Sequence, residues 1–294
     1  MRVSDATTWK NFVLYMQRAR EQLQDLQAEA ASGKRLNRPS DSPADNQRVL
    51  RLRQSLAQFD QYERNIRRGK ALLGAAETSL SQAGEVIQKM KDIAVAGANG
   101  TVIPSTRAAM AQEAASLRDR LVQLANTQFE GQYIFSGTKT DTPAYSTAGT
   151  YGGNSGTMQV AIARDARVTV NKPGDQVFGA AGGGVDILAA ANALETALQS
   201  GDLSGIQAQI DALEAGRSQV INVRAELGAS ETRLDGTQTS LDTLRLALRE
   251  QLSLVEDADL VETITALQSQ ENVLKATLAS HANVSNLSLL DFLQ

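Results

Sequence analysis

Residues 49–95 read VLRLRQSLAQFDQYERNIRRGKALLGAAETSLSQAGEVIQKMKDIAV. From Leu52 an apolar residue recurs at every seventh position: Phe59, Ile66, Leu73, Leu80, Ile87 and Ala94. Three places on from each runs a second series, Ser55, Tyr62, Gly69, Ala76, Ala83, Met90 and Gly97. Together they form one continuous seam of coiled-coil type, in which small residues allow a neighbouring backbone to approach closely. As a helix the stretch spans roughly 70 Å. A seam of that length needs other long helices beside it. A second seven-step series, Val220, Leu227, Leu234, Leu241, Leu248 and Val255, supplies the partner.

The rest of the chain is arranged around these two seams. Upstream, Phe12, Met16, Ala19, Leu23, Leu26 and Ala30 mark the apolar face of a helix over 6–32 that Gly33 ends. Ser42 is placed to cap the long helix, with Pro43 at its first position. Gly97-Ala98-Asn99-Gly100 stops it, and Ser105 is expected to cap a third helix with Met110, Ala114, Leu117, Leu121 and Leu124 on one face. From about Gly131 the composition turns to glycine and threonine. Met158, Val160 and Ile162 alternate with polar or small residues, and Val168 and Val170 suggest a second strand, with a turn over 171–175. Helical composition resumes near 186, in short helices expected to break at Gly201 and Gly205. The register breaks at Glu256-Asp257-Ala258-Asp259, where Asp259 and Glu262 have capping-box spacing. Leu260, Ile264, Leu267, Leu274 and Leu278 then form a last amphipathic face, and the tail adds Leu289, Leu290 and Phe292.

The expected fold is mainly α with a small β insertion: a long antiparallel coiled-coil-like bundle, N- and C-terminal helices together at one end and the β module at the other. The expected domains are 1–44 with 254–294, the terminal helices; 45–131 with 186–253, the bundle; and 132–185, an inserted β-rich module separable from it. The terminal helices carry apolar faces outside the bundle. Neighbouring copies or partners would complete them, and a head-to-tail contact of that kind generates an open helical polymer.

Charged residues make up 21% of the 294, with a net charge of −4, which gives no electrostatic case for nucleic acid or an anionic membrane. There is no cysteine, so disulfides and thiolate metal sites are excluded. No apolar run is long enough to span a bilayer, and Met1–Asp5 lacks the apolar core of a signal peptide, so a cytosolic protein or one leaving by a signal-less route is expected. His281, the single histidine, has no partner constellation and reads as a surface residue. Gly182-Gly183-Gly184 lacks the Lys-Ser or Lys-Thr of a phosphate loop and reads as a flexible connector. Glu256, Asp257, Asp259 and Glu262 lack calcium-loop spacing and read as helix N-terminal charge. Arg64, Arg67, Arg68 and Lys70 read as a solvated or inter-subunit face. No catalytic, cofactor or metal residue emerges.

Ser32-Gly33-Lys34-Arg35-Leu36-Asn37-Arg38-Pro39-Ser40-Asp41, Gln88–Thr101 and Glu256-Asp257-Ala258-Asp259 resemble, in order, three segments of the bacterial flagellin family. Within that family Gln132–Pro143, the opening Met1–Ser4 and the prolines at 39 and 43 are more similar to the hook–filament junction branch. Val284–Leu290 is closer to the filament subunit. The resemblance implies a non-enzymatic, signal-less exported subunit of the extracellular flagellum. It implies contacts with copies of itself in a ring, with the first junction protein beside the hook and with flagellin, and a cytosolic export chaperone on the C-terminal helix. It also implies terminal helices that are disordered in the monomer. The alternatives from the sequence are a flagellin filament subunit and a secreted coiled-coil adhesin.

Overall fold

The computed structural model describes the backbone of residues 2–181 and 183–292, and the side chains of residues 7, 9–181 and 183–280. In chain order the elements are α1 (Arg2–Ser32), α2 (Pro43–Gly97), α3 (Pro104–Ala125), β1 (Gln128–Phe129), β2 (Gln132–Tyr133), β3 (Gln159–Ala163) and β4 (Ala166–Thr169), followed by α4 (Gly174–Val177), α5 (Ile187–Ser200), α6 (Leu203–Glu256) and α7 (Leu260–Phe292). The chain divides into two compact units, Met1–Gln58 with Thr243–Gln294, and Phe59–Asp242. The division falls inside α2 and α6, not at 44/45 and 253/254 as the sequence suggests. It keeps the 132–185 segment with the helices.

The second unit holds the core. Ile66, Leu73, Leu80 and Ile87 of α2 are sealed from solvent together with Leu213, Val220, Leu227 and Leu234 of α6. The two helices run antiparallel, as their cross-links show. Lys70 pairs with Asp235, Glu77 with Arg224 and Lys91 with Glu214, so positions rise on one helix as they fall on the other. Ala111, Ala114, Leu121 and Leu124 of α3 and Leu188, Ala191, Leu194 and Leu198 of α5 close the same cluster. At Gly69 the small second series of the α2 seam makes room for neighbouring side chains rather than for a neighbouring backbone. A Cβ there would stand 3.0 Å from Val170 and 3.3 Å from Leu234.

That contact also corrects the position of the β module. It does not cap the bundle. The end beyond Gly97 is occupied by turns, where a Cβ on Gly97 would meet Leu198 of α5. The β module packs along the flank of α2: Asn65 donates to the carbonyl of Ala161 at 2.8 Å and Ser79 to Thr127 at 2.7 Å. The module shares the helical core: Phe135, Ile162, Val168, Val170 and Phe178 belong to the same cluster. Its two sheets are antiparallel pairs, β1–β2 and β3–β4. In the second, Val160 faces Val168, and the register shifts between Ala161 and Ala163. Glu130 and Gly131 both take positive φ, 51° and 77°, the geometry of a two-residue hairpin turn of the primed kind. The asparagines bind the loops together. Asn126 exchanges two 2.8 Å hydrogen bonds with the backbone of Tyr145, and Asn171 accepts from Met158 N at 2.6 Å.

Two helix boundaries differ from expectation. Ile103, not Ser105, is the N-cap residue of α3, because Pro104 fits the first helical position without needing an N–H donor. Gly205 does not break a helix. Gly201 stops α5 in the left-handed conformation with φ 74°, Asp202 accepts from Ser204 N, and α6 runs through Gly205 in its first turn. Ile206, Ile210 and Leu213 therefore extend the second seam. The Gly183-Gly184 connector is clamped. The Gln219 amide receives Val185 N at 2.9 Å and donates to the carbonyls of Val177 and Gly179, each at 2.9 Å.

In the first unit α1 packs against α7. Gln270 of α7 donates to Ala19 O at 3.3 Å and to the Gln22 side chain at 3.1 Å. Gly33, with φ 68°, ends α1, and Ser42 Oγ accepts from Asp45 N at 3.4 Å at the start of α2. Asp259 accepts from Val261 N and Glu262 N, so the N-cap inferred for α7 is present.

Candidate functional site

Two features of the first unit stand out, a charged clasp between its connectors and a set of apolar side chains left in solvent. The clasp joins the segment after α1 to the segment after α6. Lys34 and Asp257 form an antiparallel bridge. Arg35 N donates to Glu256 O at 2.8 Å, and Ala258 N donates to Gly33 O at 3.0 Å. Arg35 Nη2 reaches Val255 O at 2.9 Å. At the centre the Glu256 carboxylate, only 5% exposed, accepts from Lys34 Nζ and from Arg53 Nη2. Burial by itself would push this carboxyl up. The hydrogen bonds and positive charges of Lys34 and Arg53 outweigh it and hold the carboxyl below the ordinary carboxylate range. Among the described residues Glu256 is thus the buried acid of the unit, a role that sequence spacing did not reveal. Its partners lie 222 and 203 positions away. No local pattern carries such a pairing.

The resembled segment 32–41 builds the first strand of this clasp and its support. Asp41 Oδ2 accepts from Asn37 N at 3.2 Å and Arg38 N at 2.7 Å, and Asn46 donates to Arg38 O at 3.1 Å. Arg35 also reaches Asp45, and Arg38 reaches Asp25.

The assembly-face residues named from the sequence fall into three groups. Met16 is buried, and Phe12, Leu23, Leu26, Leu267 and Leu274 are half-buried in the α1–α7 pair. Leu260, Ile264 and Leu278 are exposed, as are Trp9, Leu14, Tyr15, Leu50, Leu244, Leu246, Leu254, Val261 and Val273, which the sequence reading did not single out. The side chains of His281, Leu289, Leu290 and Phe292 lie outside the described residues. Of the seam residues, Leu52, Ile66, Leu73, Leu80, Ile87, Val220, Leu227, Leu234 and Leu241 are buried, and Phe59 and Leu248 are half-buried. The cluster at 64–70 is largely neutralised within the chain: Arg67 meets Glu63, Arg68 meets Glu130 and Lys70 meets Asp235.

Among the described residues no group of three or more His, Cys, Asp or Glu could hold a metal ion, and no helix is long and apolar enough to cross a membrane. The arrangement offers packing surface and a clasp.

Models of the bacterial flagellin N-terminal helical region and of the bacterial flagellin C-terminal helical region match residues 4–140 and 210–293. The chain belongs to the bacterial flagellin family, whose members are structural components of the flagellum and not enzymes. Among its relatives, flagellar hook-associated protein 3 of Salmonella typhimurium is 27% identical over 98% of this chain and 98% of that protein. Its counterpart from Escherichia coli is 28% identical over 88% of this chain and 89% of that protein. A flagellin from Halalkalibacterium halodurans is 26% identical over 90% of this chain and 89% of its own. A solved structure of a candidate flagellar hook-associated protein from Vibrio parahaemolyticus superposes with a TM-score of 0.69 at 27% identity, covering 74% of this chain and 99% of that one. The hook-associated protein 3 structure from Legionella pneumophila, 15% identical, shares the fold with a TM-score of 0.63 over 70% of this chain and 98% of its own.

Proposed function

We propose that this protein is the structural subunit that joins the hook of a bacterial flagellum to its filament. The observation that carries the reading is the end-to-end similarity to hook-associated protein 3 of Salmonella typhimurium, which spans 98% of both chains. The fold supports it. A sealed seam gives a stiff shaft in the second unit, and the first unit leaves apolar side chains for neighbours to cover. The mechanism is mechanical. Coupled helical seams pass torque between two polymers and adapt one to the other.

In this reading the faces carrying Phe12, Met16, Leu23, Leu26, Leu260, Ile264, Leu267, Leu274, Leu278, Leu289, Leu290 and Phe292 meet copies of this chain in a ring, the first junction protein on the hook side and flagellin on the other. A cytosolic chaperone covers the C-terminal helix before signal-less export, as an amphipathic helix lies in a groove. The protein then works outside the cell. The filament subunit is the second reading, because the flagellin of Halalkalibacterium halodurans aligns over 90% of this chain.

Adding the purified protein to hook fragments bearing the first junction protein, then adding flagellin, separates the two in electron micrographs. A short collar that stops growing alone and supports a flagellin filament is expected. Long filaments grown from this protein alone would overturn the junction reading.

A further inference from the structure

The buried Glu256 links connectors from opposite ends of the sequence, and its surroundings are almost wholly basic. Lys34 faces it from the connector after α1 and Arg53 from α2, Arg249 of α6 lines the cleft, and the Arg35 guanidinium turns to Val255 O and Asp45. Asp257 on the connector to α7 lines the same cleft, and Asp45 is drawn to Arg35. Glu256 is the buried one of these acids; Lys34 and Arg53 both turn to its Oε1 atom. Few backbone bonds hold the clasp otherwise. Those of Arg35 N and Ala258 N are its short ones, with Leu36 N at 3.5 Å a weaker third. Hydrogen bonds to a charged partner are about twice as strong as neutral ones. Losing the charge therefore weakens the Lys34 and Arg53 links together and leaves these two cations facing a neutral acid.

We propose that the Glu256 clasp is an acid-releasable latch: with its carboxylate charged it ties the connector of α1 to the connector of α7, and on protonation it opens while the core of the Phe59–Asp242 unit stays closed. This device does not depend on the junction reading. The sign follows from linkage. The carboxyl sits below its unfolded value, so its contribution is complete above that value and is lost as pH falls through the folded one. The device is separable from the core because the core cluster contains no described residue of 1–58 or 243–294.

The test is amide hydrogen exchange of the full chain, expressed as protection relative to the unstructured rate so that the chemical pH dependence cancels. Wild type, Glu256→Gln and the double variant Lys34→Gln/Arg53→Gln are compared at about pH 7 and about pH 2, below the lowered carboxyl range. At the higher pH both variants are expected to lose about tenfold in protection at Arg35 and Ala258, the order expected when a charge-assisted hydrogen bond is lost. Wild type is expected to fall to the same level at the lower pH, with Ile87 and Leu121 unchanged throughout. The latch is overturned if the variants match wild type at neutral pH. It is equally overturned if they keep the wild-type loss on acidification, or if the Arg35 and Ala258 amides are unprotected in wild type at neutral pH.

Discussion

In the Phe59–Asp242 unit the heptad residues Ile66 and Leu80 have no measurable exposure, whereas in the other unit Leu246, Leu254 and Val261 stand 70%, 77% and 78% exposed. Both sets lie on long helices of similar composition. The difference is the number of layers around them. In the second unit α2 and α6 are flanked by α3, α5 and the β module, so every side of the seam meets a neighbour. In the first unit α1, α7 and the ends of α2 and α6 have no third layer, and among the described residues only Met16, Val49, Leu52 and Val255 are buried apolar side chains there. Covering an exposed Leu or Val contributes about 1.5–3 kcal/mol. One unit has collected that stabilisation within the chain, and the other holds it in reserve for contacts with other chains.

The largest expected effect tests whether the β module belongs to the closed unit. Phe135 meets Phe178 edge-on at 5.5 Å, and both are sealed in the helical core. Phe135→Ala should destabilise the second unit by about 3–5 kcal/mol in a denaturant titration followed by circular dichroism. A change below about 1 kcal/mol would place the module outside the core and break the comparison. Two glycines give a smaller, paired effect. Gly137, with φ 72°, would direct a Cβ to 1.9 Å from Asn154 O, whereas Gly33, with φ 68°, has open space around its Cβ position. Gly33→Ala should cost about 1–2 kcal/mol from the left-handed backbone alone, and Gly137→Ala measurably more in the same titration. Equal costs would mean that the second unit is no tighter there than the first.

Alkali should act on the closed unit. The Tyr151 hydroxyl donates to Phe135 O at 3.1 Å and Asn154 O at 2.9 Å. Burial first, and then the negative charge of Asp175, push its phenol up to about 12. Tyr145 is displaced in the same direction, chiefly by burial. A raised phenol stabilises the fold fully below its unfolded value near 10 and loses that contribution as pH rises through the folded value. Wild-type stability should therefore fall between those limits, and Tyr151→Phe should fall less steeply. An unchanged slope in the variant would remove Tyr151 from the account.

What the sequence made legible was what repeats or sits beside its partner. The heptads gave both long helices, Ser42-Pro43 gave the start of α2, Asp259 the start of α7, and the alternation at 158–162 gave β3. What it hid were polar side chains with distant partners. Glu256 looks like one acid among four beside a helix start, and only Lys34 and Arg53 make it a clasp. Gln219 is an unremarked position on a helix until the 177–185 connector folds over it. Gly205 reads as a breaker because propensity counts the residue and not its place in the first turn, where few helical bonds depend on it. The flank position of the β module followed from Gly69, whose missing side chain was legible as small but whose occupant was not.

The smallest effect on stability is the most informative about the open unit. Leu254 and Val261 touch so little of their own chain that Leu254→Gln and Val261→Gln should leave the melting of the free protein within about 0.5 kcal/mol of wild type. In the junction reading the same substitutions remove apolar surface that neighbours cover, so incorporation onto hook fragments should fall severalfold, as counted by electron microscopy. Stability and assembly would then separate at single residues, as expected if this unit's apolar surface is reserved for other chains. Destabilised free protein would mean that these side chains already have partners within the chain. Normal assembly by both variants would mean that neighbours dock elsewhere, and the search would move to Trp9, Leu14 and Tyr15 on α1, which are exposed in the same unit.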